Sequence, residues 1–404
     1  MRIIIYYEQR DYGGVDTFLS HLINFWPEEK DEFIIVTNND NRGIDYLLSS
    51  IKNPKITIYR MSPNKWYAPS DRSKFVKSVF IARAYSLFFF KFTRYLSKAN
   101  PDIILVSNGS YPGGLSTFIA IIIAKFFKAP SFLMVHHAIL FKSYIPSVVV
   151  ANFLSVIINL FKIKRLTVSL ASKKMLEKFT PLKNFKVIYN GLSISTKNES
   201  INLQSKLGVQ NKTLIGTIGR LDDFKGHETI LHAFNESEFL RENAHYVIVG
   251  SGNPVVINKL LYLVSNYNIE KNITFTGFIK GDPIDVVKSF DILAMPTKDF
   301  EGFGYSYAEA MLSKIPVIAS NVGAISEIIE DQTSGLIIEP MNIKEWVIGL
   351  EFLIRNPKKR RTFGINAQQR IVNSFSAEKM ALNYHNMFLE NIYSKSHKHD
   401  EPSK

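Results

Sequence analysis

Two glutamates, Glu301 and Glu309, stand eight positions apart in a segment with the pattern of strand, glycine loop and helix. The predicted strand ends at Pro296, and the loop EGFG leads into a helix expected to open near Tyr305. Free backbone N–H groups and the helix dipole favour an anion at such a helix start. Carboxylates accept hydrogen bonds from vicinal hydroxyls, so the pair suits a ribose or hexose beside a phosphate. Acids that merely favour a helix N-terminus are the alternative.

Two cations follow another predicted strand, which ends at Gly219. Arg220 offers a planar bidentate donor and Lys225 a point charge, an arrangement that suits a pyrophosphate, with ordinary surface cations as the alternative. A third strand ends at Gly250, in the sequence Gly-Ser-Gly. Because ligands of open α/β sheets bind beyond the carboxyl ends of the strands, we expect these loops to converge.

These segments together resemble the nucleotide-sugar half of the retaining glycosyltransferases of family four, which have the GT-B fold. The resemblance is carried by GRLDDFKG, YVIVGSGN and EGFGYSYAEAMLSKIPVIASNVGAISEII, and Glu301 and Glu309 match the family's E-x7-E signature. In the first half, the loop at Gly13 and Gly14 is similar to the family's glycine loop, and MVHH is similar to its strand-end histidine. With the similar segments VSLASKKMLEKF and VIYNGL, the resemblance covers nearly the whole chain.

The resemblance implies a metal-independent transfer that retains the anomeric configuration of the sugar. It implies that Arg220 and Lys225 bind the diphosphate and stabilise the charge that develops on the leaving group. Glu309 would hold the ribose hydroxyls and Glu301 the transferred sugar. Further donor-binding positions implied in the same way are Gly13, Gly14, Gly219, Gly250, Gly302, Phe303 and Gly304.

A histidine pair and an acidic triple complete the candidate chemistry. The resemblance implies that His136 contacts the sugar from the opposite domain, but the adjacent His137 leaves the choice between them open, and a core-facing histidine is the alternative. The triple Asp299-Phe300-Glu301 only superficially suggests a metal site, because hard cations need several clustered oxygens. We expect no metal and no cofactor, since a nucleotide-diphosphate sugar is a substrate.

The elements that must position these residues alternate between apolar runs of strand length and helix-period segments, which is typical of parallel sheets covered by helices. The predicted strands are Arg2–Tyr7, Glu32–Thr37, Lys55–Arg60, Ile103–Ser107, Ser131–His136, Arg165–Ser169, Phe185–Tyr189, Leu214–Gly219, Tyr246–Gly250, Ile273–Gly277, Ile292–Pro296, Val317–Ser320 and Gly335–Glu339. The predicted fold class is α/β with two doubly wound units. The resemblance implies that two Rossmann-like domains of the GT-B fold face a central cleft.

A chain of 404 residues is long enough for two domains, at about 100 to 200 residues each. A polar stretch from Ser193 to Gln204 has too few large apolar residues to join either core. The predicted organisation is an acceptor-binding domain over 1–192, a linker over 193–205, a nucleotide-sugar-binding domain over 206–376, a helix over 377–393 and a loose tail over 394–404. The resemblance implies that this helix crosses back to the first domain.

The net charge of +13 is concentrated in the first half. Residues 51–190 contain 22 basic and 3 acidic side chains, whereas residues 201–404 contain 22 and 23. The segment 73–100 interleaves aromatic residues with cations and has no acid, which is typical of a helix in an anionic membrane interface. We therefore expect an anionic membrane surface to bind residues 73–165. A solvated helix is the alternative, and nucleic acid is disfavoured because no recognised binding motif accompanies the charge.

Cysteine is absent, which excludes disulfides, thiolate metal sites and cysteine nucleophiles and fits a reducing compartment. Met1–Tyr7 is predicted to be a strand and not a secretory signal. The longest charge-free stretch, Ser143–Phe161, contains Pro146, Asn152 and Asn159, which disfavour a spanning helix. We expect a cytoplasmic protein, peripheral at the inner face of the cell membrane.

The predicted function is transfer of a hexose or N-acetylhexosamine from a nucleotide-diphosphate sugar to a saccharide acceptor. The basic half and the resemblance indicate a lipid-linked acceptor in cell-surface polysaccharide biosynthesis, such as lipopolysaccharide or capsule. A sugar-nucleotide epimerase or a phosphorylase on the same fold is an alternative, since a fold does not fix a function. A non-catalytic protein that binds anionic membranes or nucleic acid is the third possibility.

Overall fold

A computed structural model describes residues 1–53, 55–61, 74–137, 145–193, 201–281 and 283–396. Over these residues the chain forms thirteen strands, which are β1 (Arg2–Tyr7), β2 (Glu32–Thr37), β3 (Ile56–Arg60), β4 (Ile103–Asn108), β5 (Ser131–Val135), β6 (Lys164–Thr167), β7 (Phe185–Val187), β8 (Thr213–Ile218), β9 (Ala244–Val249), β10 (Ile273–Gly277), β11 (Ile292–Met295), β12 (Val317–Ser320) and β13 (Gly335–Ile338).

Sixteen α-helices lie within the same described ranges. They are α1 (Gly14–Asn24), α2 (Ile44–Ser50), α3 (Lys74–Ala99), α4 (Leu115–Lys125), α5 (Ile145–Leu160), α6 (Leu170–Phe179), α7 (Leu203–Leu207), α8 (His227–Glu236), α9 (Glu238–Asn243), α10 (Pro254–Asn266), α11 (Pro283–Val287), α12 (Tyr305–Leu312), α13 (Ile325–Ile328), α14 (Ile343–Arg355), α15 (Pro357–Ser374) and α16 (Ala377–Ser396). None of them is both long and apolar enough to cross a bilayer.

The chain divides into two compact units, of which the first comprises Met1–Gly191 with Ala377–Lys404 and the second comprises Leu192–Ser376. The sheet of the first unit has the order β3-β2-β1-β4-β5-β6-β7, and that of the second has the order β10-β9-β8-β11-β12-β13. All strand pairs are parallel. The strand order reverses at β1/β4 and at β8/β11, as in doubly wound sheets. The predicted fold class of two doubly wound α/β units is confirmed.

The first unit buries its sheet because apolar side chains extend from both faces of its strands. Alternate residues of β1 and β4, such as Ile4 and Val106, pack with α3, α4 and α5 in one core cluster. Helix α16 packs against α1. The Tyr384 ring lies 5.6 Å from the Phe18 ring, measured between centroids, so the last helix contributes to the core of the first unit.

Two predicted segment boundaries need correction. The predicted linker over 193–205 includes the first residues of α7, where Asn202 caps the helix by accepting from the Ser205 N–H and Leu203 is buried in the second unit. Residues 194–200 of that linker lie outside the described residues. Helix α16 continues to Ser396 and so includes the start of the predicted loose tail, whose residues 397–404 also lie outside the described part.

Candidate functional site

The loop that follows β8 carries both predicted diphosphate-binding cations. Gly219 adopts φ 145°, a conformation that side chains disfavour, and its N–H donates to the Val249 carbonyl oxygen over 3.0 Å. A short turn over Asp223–Lys225 follows, and Gly226 at φ 69° is the N-cap residue of α8. Lys225 therefore stands directly before a helix start, where backbone N–H groups lack intrahelical partners.

The loop after β9 packs against this loop. A Cβ atom on Gly250 would lie 1.8 Å from the Gly219 carbonyl oxygen, so this approach requires glycine. Farther along, the Leu221 N–H donates to the Ser251 carbonyl oxygen over 3.0 Å. The structure therefore brings Gly219 and Gly250 together, at the carboxyl ends of neighbouring strands.

The loop after β11 lies on the other side of the turn at Lys225. The Lys298 N–H donates to the Phe224 carbonyl oxygen over 2.7 Å. A Cβ atom on Gly226 would lie 2.0 Å from the Pro296 carbonyl oxygen, so only glycine permits this backbone contact. These two contacts hold the β8 and β11 loops together at the point where the strand order reverses, which is the usual ligand site of such sheets.

Lys225 and Glu301, from these two loops, form an ion pair. The Lys225 Nζ donates to Glu301 Oε2 over 2.8 Å. The two side chains are only 16% and 14% exposed, so water screens their charges incompletely. The Lys225 ammonium also lies 5.3 Å from the centroid of the Phe224 ring. A cation suited to phosphate and a carboxylate suited to hydroxyls thus stand side by side.

The rest of the EGFG loop leads into α12. Gly304 adopts φ 85°, and a Cβ atom there would lie 2.5 Å from the Tyr307 ring. Phe303 is buried, with its ring 5.9 Å from the Phe375 ring, so its side chain anchors the loop. Gly302 is also buried. Glu309 lies inside α12 and is 7% exposed.

Arg220 differs from the other candidates because its side chain is 76% exposed. Its guanidinium lies 3.4 Å from the Asp222 carboxylate, which is a surface ion pair of small energetic value. The structure thus places Arg220 on the same loop as Lys225 but extends its side chain into solvent.

A network of four charged residues that was not predicted from the sequence joins the elements around Lys225. Lys298 Nζ lies 2.7 Å from Glu228 and 3.2 Å from Asp223, and Lys259 Nζ lies 3.4 Å and 3.3 Å from the same carboxylates. The Lys298 hydrogen bond holds the pKa of Asp223 below its usual value. Burial alone would raise the pKa of Glu228, but the bond from Lys298 and the nearby lysine charges together lower it.

A buried histidine, His227, is the first residue of α8, two positions after Lys225, and it was also missed. Burial lowers the pKa of His227 to about 4, against the opposing effect of the Arg220 backbone. Its imidazole is therefore neutral at pH 7. Neither His227 nor the four-residue network has a sequence spacing that would have revealed it, because the network combines a turn, the loop after β11 and the helices α8 and α10.

In the first unit, His136 directly follows β5 and is buried. Its Nε2 lies 2.9 Å from the Ser107 Oγ, and its ring meets the Phe18 ring edge-on at 4.9 Å. Burial lowers the pKa of His136 to about 3, so its imidazole is neutral at pH 7. His137 is partly exposed, and its carbonyl oxygen accepts from the Tyr111 N–H over 2.7 Å.

The loop at Gly13 and Gly14 precedes α1 and is held by a buried carboxylate. The Gly13 N–H donates to Asp16 Oδ2 over 2.8 Å, and the Tyr7 hydroxyl donates to Asp16 Oδ1 over 2.9 Å. Burial raises the pKa of Asp16 to about 6. Asp16 was not predicted from the sequence, although its position three residues after Gly13 has the spacing of a helix-capping box.

Within the described ranges, no three His, Asp or Glu side chains cluster so that they could hold a metal ion. Asp299, the first residue of the acidic triple, accepts from the Phe300 N–H over 2.7 Å.

Comparison with known proteins identifies solved structures and a protein family that are similar to this chain. The solved structure of HepE from Anabaena in complex with UDP matches with a TM-score of 0.76 at 18% identity, covering 96% of this chain and 100% of that one. The chain therefore has the GT-B fold. Residues 199–370 match the family described as Glycosyl transferases group 1. This match agrees with the family resemblance seen in the sequence.

Curated relatives match over part of their length. An uncharacterized glycosyltransferase of Methanocaldococcus jannaschii is 31% identical over 210 residues, which is 50% of this chain and 53% of that protein. The poly(ribitol-phosphate) alpha-N-acetylglucosaminyltransferase of Staphylococcus aureus strain COL is 29% identical over 181 residues, which is 44% of this chain and 36% of that protein. The chain spans about half the length, or less, of these relatives.

Proposed function

We propose that the protein is a retaining, metal-independent glycosyltransferase that moves a hexose or N-acetylhexosamine from a nucleotide-diphosphate sugar to a saccharide acceptor. The observation that carries this proposal is the pairing of Lys225 with Glu301 over 2.8 Å at the reversal point of the second sheet. A diphosphate requires the cation and a sugar requires the hydrogen-bond acceptor, and the two reacting parts of the substrate are adjacent.

In this function the bond between the anomeric carbon and the diphosphate breaks, and a bond to an acceptor hydroxyl oxygen forms on the same face of the sugar. The proton of that hydroxyl passes to an oxygen of the leaving diphosphate. Negative charge develops on the leaving diphosphate, and Lys225 and Arg220 stabilise it. The exposed Arg220 side chain folds onto the diphosphate when the nucleotide binds. Glu309 holds the ribose hydroxyls, and Glu301 holds the transferred sugar with the backbone of residues 302–304.

The first unit supplies the acceptor side in this proposal. The loop at Gly13 and Gly14 contacts the donor phosphate or the acceptor, and His136 or His137 contacts the sugar. A neutral imidazole at His136 can serve as a hydrogen-bond partner for a sugar hydroxyl. The second unit supplies the nucleotide-sugar site.

A lipid-linked acceptor at the inner face of the cell membrane is the finer part of the proposal. It is supported by α3, α4 and α5, which pack side by side and whose sequences contain no Asp or Glu. Large apolar side chains on this surface are exposed, including Phe90 at 69% and Phe153 at 65%. Exposed aromatic residues among cations suit an anionic membrane interface. Such a location matches an acceptor of cell-surface polysaccharide assembly.

Incubation with labelled nucleotide sugars tests the proposal. A transferase forms labelled product only with a saccharide acceptor, and proton NMR of the product shows the anomeric configuration of the donor. Conversion of the sugar without any acceptor would indicate an epimerase, and a requirement for inorganic phosphate would indicate a phosphorylase. Activity that disappears in a chelator and returns only with magnesium or manganese would contradict the metal-independent mechanism.

A further inference from the structure

The ion pair of Lys225 and Glu301 has a consequence for the ligands that this site can hold. The Glu301 carboxylate lies one hydrogen bond from the ammonium group that binds the diphosphate in the proposed function. Any phosphate that approaches Lys225 therefore meets a negative charge beside it. Because both side chains are mostly buried, this repulsion is screened less than it would be at the surface.

The repulsion differs between the sugar nucleotide and the free nucleoside diphosphate. The terminal phosphate of a nucleoside diphosphate has a free second ionisation near pH 6, so at neutral pH it carries about one more negative charge than its sugar ester. The sugar ester also presents hydroxyl groups, which donate hydrogen bonds to a carboxylate. The same carboxylate thus opposes one ligand and attracts the other.

We propose that Glu301 is a specificity-determining residue that favours the nucleotide sugar over the nucleoside diphosphate left after transfer. This inference rests on the proposed function, in which Lys225 and Glu301 contact the diphosphate and the sugar. While the sugar is attached, its hydroxyls occupy Glu301 and leave Lys225 to the phosphates. After transfer, Glu301 competes with the remaining diphosphate for Lys225 and promotes its release.

A different role for Glu301 makes the opposite prediction. If Glu301 only holds the Lys225 side chain in position, its loss would disorder that cation and weaken both ligands alike. Binding of the two ligands, measured separately, distinguishes specificity from positioning.

The experiment is isothermal titration calorimetry on the full chain. UDP with UDP-glucose and UDP-N-acetylglucosamine, and GDP with GDP-mannose, are titrated into the wild-type protein, and the pair that binds more tightly is used for the variants. We expect Glu301→Gln to bind the nucleoside diphosphate about fivefold more tightly and the sugar nucleotide no more tightly, as removal of one partly buried charge implies. Glu351→Gln makes the same charge change at the Arg355 ion pair on α14 and should alter neither affinity.

The result that would overturn the inference is a Glu301→Gln variant that binds the nucleoside diphosphate as weakly as, or more weakly than, the wild type. If Glu301→Gln does not unfold cooperatively, Glu301→Asp withdraws the carboxylate by one methylene and should also tighten the nucleoside diphosphate, by a smaller factor. A wild-type protein that binds neither nucleoside diphosphate would contradict the proposed function itself, together with this inference.

Discussion

At the scale of the residue, the site depends on a lysine that is held between a phenyl ring and a carboxylate. Lys225 has its ammonium group 2.8 Å from Glu301 and 5.3 Å from the Phe224 ring centroid. A positive charge that is fixed in advance costs little reorganisation when charge develops on a leaving group.

Replacement of Lys225 with methionine should therefore reduce turnover more than it reduces stability. We expect Lys225→Met to lower kcat by about 10²-fold or more, a typical loss for a group that stabilises transition-state charge. Lys344→Met, at an exposed position on α14, is the matched control and should leave kcat within a factor of two or three. Steady-state kinetics with a saturating nucleotide sugar measure both, and equal kcat values for the two variants would contradict the assigned role.

Asp16 gives a pH-dependent prediction for the first unit. Burial raises its pKa to about 6, above the value of about 3.9 for an unfolded chain, so the folded protein binds its proton more tightly. Its contribution to stability is therefore full below about pH 4 and is lost as the pH rises through 6. Asp16→Asn removes this titration. When the pH rises from 4 to 7, the free energy of unfolding of the wild type should therefore fall by about 2 to 3 kcal/mol relative to that of the variant. Urea unfolding at both pH values measures it, and a difference that does not change with pH would contradict it.

At the scale of the element, the strands could be predicted closely. Predicted strands such as Arg2–Tyr7 and Val317–Ser320 coincide with β1 and β12, because strands buried on both faces are continuous apolar runs bounded by polar or turn residues. The doubly wound character of both sheets also followed from the α/β pattern, although the strand order did not. The loops after β8 and β9 were expected to converge because ligands bind beyond the carboxyl ends of such strands, and the structure shows that Gly219 and Gly250 permit their backbones to approach.

The parts of the site that could not be predicted depend on side chains from separate elements. Lys298 lies in the β11 loop, Glu228 on α8 and Lys259 on α10, and their contacts exist only after these elements pack. Burial of Leu203 in the second unit likewise depends on tertiary packing. The residues around it are mostly polar, so the composition of this stretch predicted a linker. Neither arrangement can be predicted from the local sequence.

The network predicts that Lys298 positions the turn that carries Lys225. Lys298→Met should weaken nucleoside diphosphate binding several-fold by loosening this turn, and Lys298→Arg should restore most of the affinity because it keeps the charge. Lys259→Met is the matched control, since Lys259 contacts the same carboxylates but is half exposed, and it should have a smaller effect. Calorimetric titration with UDP or GDP and thermal unfolding of each variant test this. A loss of stability without any loss of affinity would assign Lys298 a structural role alone.

At the scale of the whole molecule, positive charge and exposed aromatic residues are concentrated in the first unit. Residues 51–190 contain 22 basic and 3 acidic side chains, and the aromatic residues Phe90 and Phe153 are exposed on α3 and α5. Each cation near an anionic membrane contributes about 1 kcal/mol, so several together support reversible attachment.

Sedimentation with lipid vesicles tests this attachment. The protein should bind vesicles that contain phosphatidylglycerol, less so in high salt, and Phe153→Ser should reduce this binding. Val255→Ser removes an apolar side chain that is 74% exposed on α10 of the second unit, and it should have no effect. Equal binding to neutral and anionic vesicles would contradict the proposed membrane surface.

In the proposed function, Lys225, Glu301 and Glu309 hold a nucleotide-diphosphate sugar in the second unit. The most direct measurement is thermal unfolding of the wild type and of Lys225→Met with UDP, GDP, ADP and their sugar conjugates. A ligand at 100 times its Kd stabilises a folded protein by about 2.7 kcal/mol, so at least one sugar nucleotide should raise the wild-type Tm by several degrees and leave that of Lys225→Met nearly unchanged. No shift with any of these ligands, or equal shifts in both proteins, would contradict the account.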